Sequence, residues 1–260
     1  MTFTDNNRPV ALFVLDLDGC TTEPFTTPDW EAFTELRTLN RASLTDMSIP
    51  PLTLCTGRPQ PYAEAIAQLL DIRYPILFES GAGAYNPVNV TFTWSPLVVE
   101  HRLAHVRRVM HWMENELTKK HSGSYMEFTK RTDAGIVHSD PALVPVIKAE
   151  IEAFIEKHAL ELDVHHTPIS VDVLMRGINK GTGLEWISSW FGVELNRIAY
   201  IGDSSGDIEA LKRVGYPYAP ANASEKVKPL ARVTEEHVTK GVVEAYRELI
   251  VFNRASISSS

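Results

Sequence analysis

Four aspartates stand where apolar runs stop. "ALFVLDLDG" brings Asp16 and Asp18 to the end of a β-branched stretch, and "IAYIGDSSGD" ends another on Asp203, with Asp207 four residues on. A third apolar run, "LTLCTGR", stops at Thr56 and Gly57. Carboxylates drawn into one cleft repel, and some would have to take up protons. A divalent cation removes the conflict, and an all-oxygen donor set with room for water suits Mg²⁺. A cation held by so few protein groups fills its shell with substrate phosphate oxygens. Phosphate in turn needs donors: the Thr56 hydroxyl, the unhindered N–H of Gly57 and the ammonium of Lys180, which precedes a helical run. A carboxylate nucleophile, a cation, donors and a neighbouring carboxyl are the equipment of phosphoryl transfer.

The elements that would gather these residues alternate along the chain. "VALFVLD" suits a strand buried on both faces. "PDWEAFTELRTLNRAS" has helical spacing, with Asp29 at its start. A strand over "PPLTLCTGRP", a helix over "PYAEAIAQLLDI" with Pro61 near its start, and a strand over "YPILFES" continue the series. Such a β-α-β-α-β order predicts a doubly wound parallel sheet with right-handed crossovers. Ligands of such sheets bind beyond the carboxyl ends of the strands, where the candidate residues lie.

The middle of the chain changes character. "VNVTFTW" reads as a strand, "SPLVVEHRLAHVRRVMHWMENELTKKH" as a long amphipathic helix, and "SYMEFTKR" with "AGIVHS" as paired strands. A helix over "PALVPVIKAEIEAFIEKHA" and strands over "LELDVHHT" and "ISVDVLM" complete an α-β-β-α-β-β unit. This predicts an α+β domain at residues 86–175, inserted into an α/β core at 1–85 and 176–260. The α/β pattern returns with helices over "KGTGLEWISSWFG" and "SGDIEALKRVG" around the strand "RIAYIGD", and a closing helix over "GVVEAYRELIVF". The polar tail "RASISSS" reads as frayed.

Composition narrows the function classes. Of 260 residues 44% are hydrophobic and 22% charged, and net charge is −8. No basic run stands out, which argues against a nucleic-acid partner. No window approaches the ~18 apolar residues of a membrane span, and the first residues lack the pattern of a signal peptide. Two cysteines cannot form a disulfide framework. A cytoplasmic location is expected, with no membrane partner; oligomeric state stays open.

Four motifs in order carry a family resemblance. "DLDGCT", "CTGR", Lys180 and "GDSSGD" resemble the motifs of the haloacid dehalogenase superfamily of aspartate-nucleophile phosphatases. Forty residues separate Asp16 from Thr56 and 124 separate Thr56 from Lys180. The second interval has room for a cap domain of the α-β-β kind. The pattern is similar to the type IIB group of Cof-like, sucrose-phosphate and archaeal phosphoglycolate phosphatases. The resemblance implies that Asp16 is the nucleophile and Asp18 the general acid and base. It implies Mg²⁺ held by Asp16, the backbone carbonyl of Asp18, Asp203, and Asp207 as ligand or anchor. Thr56, Gly57 and Lys180 would hold the phosphoryl group of a small phosphorylated metabolite. Gly206 stands where this group often has Asn, and Cys20 replaces the usual Thr or Val.

Other features read more plainly. His165 and His166 fall on opposite faces of a strand and read as structural. "SGAGAY" reads as a turn and hinge rather than a dinucleotide loop. Lys130 and Arg131 read as a solvated turn, with a substrate carboxylate as the second reading. Cys20 and Cys55 read as packing residues, with oxidation near the nucleophile loop as the alternative. Two rival functions remain open at this point: a receiver-type module that accepts a phosphoryl group on aspartate, and a catalytically silent ligand-binding protein.

Overall fold

A computed structural model of the chain describes residues 9–167 and 169–258. The first part of the chain forms β1 (Leu12–Leu15), α1 (Trp30–Ala42), β2 (Leu52–Leu54), α2 (Gln60–Leu69), β3 (Ile76–Phe78), β4 (Gly83–Asn86) and β5 (Thr91–Trp94). Every residue of β1, β2 and β3 is buried, as expected of strands covered on both faces. Helix α1 starts where the Asp29 carboxylate accepts from Ala32 N at 3.1 Å, and α2 starts at Pro59 with a second proline in its first turn.

A second set follows. Helix α3 (Glu100–Trp112) runs through a π turn, Met113–Leu117, into α4 (Thr118–Lys120). Then come β6 (Tyr125–Met126), β7 (Asp133–Val137), α5 (Val144–Lys157), β8 (Leu162–His166) and β9 (Ser170–Met175). The chain returns through α6 (Lys180–Phe191), β10 (Ile198–Ile201), α7 (Ile208–Leu211), β11 (Tyr216–Ala219), β12 (Arg232–Val233) and α8 (Val238–Ser258).

These elements make two compact units, residues 1–93 with 179–260 and residues 94–178. The first contains a five-stranded parallel sheet in the order β12-β11-β10-β1-β2. A parallel bridge between Cys55 and Leu77 sets β3 beside β2. Strands β3, β4 and β5 form a further three-stranded sheet. The core of the parallel sheet gathers Leu12, Val14, Cys55, Leu184, Ile198 and Tyr200. The second unit is an antiparallel sheet, order β6-β7-β9-β8, with α3 and α5 against it. The α/β class and the α+β insertion expected from the sequence are both observed.

Three local readings are corrected. "SGAGAY" is not only a turn: after a 3₁₀ turn over Glu79–Gly81 its residues become β4, antiparallel to β3. Gly81, at φ +91°, lies so close to α6 that a Cβ would stand 2.8 Å from Gly183 Cα. The tail is not frayed where it is described, since α8 runs to Ser258. Asn253 explains the extension. Its side chain is buried, accepts from Val10 N at 2.9 Å and donates to Val10 O at 3.0 Å, pinning the last turns to the entry of β1. Residues 259 and 260 lie outside the described residues. Lys130 is neither solvated nor available to a ligand. It is buried, with Nζ 2.9 Å from Glu127, 3.3 Å from Asp133 and 2.7 Å from Asp172. His165 and His166 are both exposed.

Candidate active site

Sheet register assembles the site. Leu15 pairs with Ile201 on one side and Leu54 on the other, so β1, β10 and β2 end together. Asp16 N donates to Ile201 O at 3.1 Å, and Cys55 N donates to Leu15 O at 2.9 Å. The residues just beyond these ends are Asp16 and Asp18, Asp203 and Asp207, and Thr56 and Gly57. Thr21 ties the first loop down, its hydroxyl donating to Asp16 O at 2.6 Å. Asn222 does the same from the far side, Nδ2 donating to Gly19 O at 2.8 Å. Gly19 must be glycine: its φ is +79°, and a Cβ would stand 2.3 Å from Asp203 Oδ2.

Helix α6 delivers the cation. Asn179 caps it by accepting from Thr182 N at 3.0 Å, and Thr182 Oγ1 accepts from Asn179 N at 3.1 Å. This box and the Gly81–Gly183 contact fix the first turn, which starts at Lys180. Lys180 Nζ lies 2.5 Å from Asp16 Oδ1 and 2.6 Å from Asp207 Oδ1, and all three side chains are buried.

Asp207 is fully enclosed. Its Oδ1 also accepts from the buried Tyr200 hydroxyl at 2.5 Å. Its Oδ2 accepts from Asp203 N at 3.1 Å, Ser204 N at 2.9 Å and Ser204 Oγ at 3.1 Å. Of the two roles read from the sequence, ligand or anchor, protein donors on both oxygens favour the anchor. Asp203 differs: its Oδ1 is buried without a hydrogen-bond partner.

The electrostatics follow from burial. Burial, then the Asp207 charge, hold the Asp16 carboxyl well above its ordinary value against the pull of Lys180. Burial and Asp207 likewise lift Asp203 to about 7. Burial also acts to raise Asp207, but Lys180 and the donors around it outweigh this, and the group lies below its ordinary value. For Lys180 burial opposes the charge, and Asp16 and Asp207 more than offset it, so the ammonium sits well above its ordinary range.

A divalent cation fits this donor set. Single ligand atoms of Asp16, Cys20 and Asp203 all lie within 4.8 Å of one another. Two neighbouring carboxyls pushed toward protonation, Asp16 and Asp203, the latter with an unpartnered oxygen, are the arrangement a cation relieves. The Asp18 side chain is engaged elsewhere, in a fork with Arg58: Nε to Oδ2 at 2.7 Å and a terminal nitrogen to Oδ1 at 2.8 Å.

Thr56 is buried, and its Oγ1 accepts from Arg58 N at 3.1 Å. A Cβ on Gly57 would meet only Ser80 Oγ, at 3.5 Å, so the backbone there is open to approach. Cys20 and Cys55 are free and buried. Burial pushes both thiols up, away from the reactive thiolate.

Two residues of the site were missed in the sequence. Tyr200 reads there only as one more apolar residue of "IAYI". Arg58 follows directly on Thr56 and Gly57, but nothing local says that it reaches Asp18. Its place at a strand end, inside the "CTGR" motif, was the signal available.

The chain matches known proteins along most of its length. Residues 136–245 match the family model described as haloacid dehalogenase-like hydrolase. A phosphoglycolate phosphatase of Methanococcoides burtonii is 25% identical over 233 residues, covering 89% of this chain and 93% of that one. A phosphoglycolate phosphatase of Methanothrix thermoacetophila is 28% identical over 209 residues, covering 79% and 84%. Among solved structures, the sucrose-phosphatase of Synechocystis, crystallised with sucrose and phosphate, shares the fold with a TM-score of 0.69 at 15% identity. That match covers 92% of this chain and 98% of that one. In sequence the chain is thus similar to haloacid dehalogenase-like hydrolases and to phosphoglycolate phosphatases, and in fold to a sucrose-phosphatase.

Proposed function

We propose that the protein is a Mg²⁺-dependent phosphomonoesterase that works through an aspartyl phosphate on Asp16. The observation that carries this reading is the buried trio of Asp16, Lys180 and Asp207 with the half-buried Asp203 beside it, at the joint ends of β1 and β10. In it one carboxylate oxygen of Asp203 lacks a partner.

Asp16 attacks phosphorus, and the bond to the leaving alkoxide breaks as Asp18 gives that oxygen a proton. Asp18 then takes a proton from water, whose oxygen bonds to phosphorus as the bond to Asp16 breaks. Inorganic phosphate leaves, and Asp16 is again a carboxylate. Lys180, Thr56 and the Gly57 N–H hold the phosphoryl oxygens through both displacements. Lys180 also holds Asp16 in place, with Asp207 as the fixed post behind it. Mg²⁺, held by Asp16, Asp203 and the backbone carbonyl of Asp18, would offset carboxylate repulsion and the charge of the phosphoryl oxygens.

The substrate class is a small phosphorylated metabolite, phosphoglycolate or a sugar phosphate. The named activities of the relatives support it. The unit at 94–178 would be the cap that selects it. A cytoplasmic setting is consistent with the described residues, in which no helix is long and apolar enough to cross a membrane.

A phosphate-release screen tests this reading. Purified protein with Mg²⁺ is given phosphoglycolate, hexose phosphates and other phosphomonoesters. Steady turnover on at least one, lost on chelation, is expected. Phosphate release that stops after one equivalent would favour a receiver-type phospho-accepting protein, and no release at all a silent binding protein.

A further inference from the structure

We propose that Arg58 is a positioning residue that sets the orientation of the Asp18 carboxyl, and that its effect falls chiefly on the second half-reaction. The inference rests on the phosphatase reading above and extends it to a residue that reading leaves without a role.

The pair is built as a holder. The guanidinium meets Asp18 through two parallel bonds, 2.7 and 2.8 Å long, one to each oxygen. Such a fork fixes the plane of the carboxylate as well as its distance, which an ammonium cannot do. Both side chains are partly buried, so solvent screens the pair less than it would an exposed one. Arg58 is itself held on three sides. Its N–H donates to Thr56 Oγ1 at 3.1 Å, and its carbonyl accepts from Glu79 N at 3.0 Å. Its guanidinium lies over the Tyr62 ring, 5.0 Å from the centroid. The loop after β2 thus sets Arg58, and Arg58 sets Asp18.

The two halves of the reaction need this differently. In the first, the oxygen that Asp18 serves is still bonded to phosphorus and is placed by that bond. In the second, the attacking water is placed only by what it hydrogen-bonds to, so a misdirected carboxylate loses more. The water gives one proton to Asp18 and its oxygen to phosphorus, and Asp16 leaves as a carboxylate. Arg58 keeps its protons throughout.

Rapid-mixing kinetics with p-nitrophenyl phosphate and Mg²⁺ test the proposal on wild type, Arg58→Met and Arg58→Lys. Nitrophenolate release reports the first half, and acid-quenched phosphoprotein reports the intermediate. Arg58→Met should lower kcat by about tenfold to a hundredfold, part of the ~10²–10⁴ that acid–base catalysis supplies. It should show a nitrophenolate burst and accumulate phosphoprotein. Arg58→Lys, which keeps the charge and loses the fork, should show the same change in smaller measure. Its result stands even if Arg58→Met fails to fold. A raised KM with unchanged kcat would overturn the proposal, since Arg58 would then act on substrate phosphate. So would a lowered kcat with neither burst nor accumulation. A wild-type protein that turns over no phosphomonoester would instead overturn the phosphatase reading itself, and the proposal with it.

Discussion

Lys180 Nζ lies 2.5 Å from Asp16 Oδ1 across 164 residues of chain. The same nitrogen lies 2.6 Å from Asp207 Oδ1, so one ammonium stands between two buried carboxylates. Removing it would leave both without a cation. Lys180→Met should therefore cost about 3–5 kcal/mol of stability and abolish turnover. Urea unfolding of the metal-free protein measures the first. A loss under about 1 kcal/mol, the range of an exposed pair, would show that the cluster is far better solvated than its burial implies.

How much of this was readable in the sequence depends on the range of the interaction. Apolar runs and helical spacing disclosed the parallel sheet and the inserted unit, because burial on both faces leaves a local mark. Asp16, Asp203 and Thr56 were legible because each ends such a run. The fork from Arg58 to Asp18 and the Tyr200 hydroxyl on Asp207 were not. Both depend on which strand ends meet, a matter of register between distant segments. The same is true of Asn253, which turns a polar tail into helix by bonding Val10. Lys130 was misread because a charged residue between strands is ordinarily solvated, and only the fold brings Asp172 to it.

Asp203 gives the metal-free protein a pH dependence. Its carboxyl is lifted to about 7 in the folded chain from an ordinary 3.8. Between those values the folded state holds more proton than the unfolded. This group's contribution to stability is therefore full below the ordinary value and is lost as pH rises toward about 7. Asp203→Asn should flatten that fall in the metal-free protein. Mg²⁺ should raise the wild-type Tm more above pH ~7 than near pH ~5, because binding must displace the proton. Thermal unfolding with and without Mg²⁺ across this range is the check. A Tm shift independent of pH would count against Asp203 as a ligand.

Lys130 holds the loop between β6 and β7 by meeting Glu127, Asp133 and Asp172. Asp133 and Asp172 raise its ammonium well above its ordinary value although burial opposes this. Lys130→Met leaves three carboxylates facing one another, so a loss of about 3 kcal/mol or more is expected. Hydrogen exchange should show the loosening within residues 94–178. Exchange there unchanged from wild type would mean that the loop is held by other contacts.

The central claim is a covalent phosphoryl group on Asp16. The direct measurement is mass spectrometry of protein quenched in acid during steady turnover of a phosphomonoester with Mg²⁺, followed by digestion. The account predicts one added phosphoryl group on the peptide that contains Asp16, absent from Asp16→Asn and from protein quenched without substrate. Steady phosphate release with that peptide never modified, or release by Asp16→Asn at the wild-type rate, would contradict it.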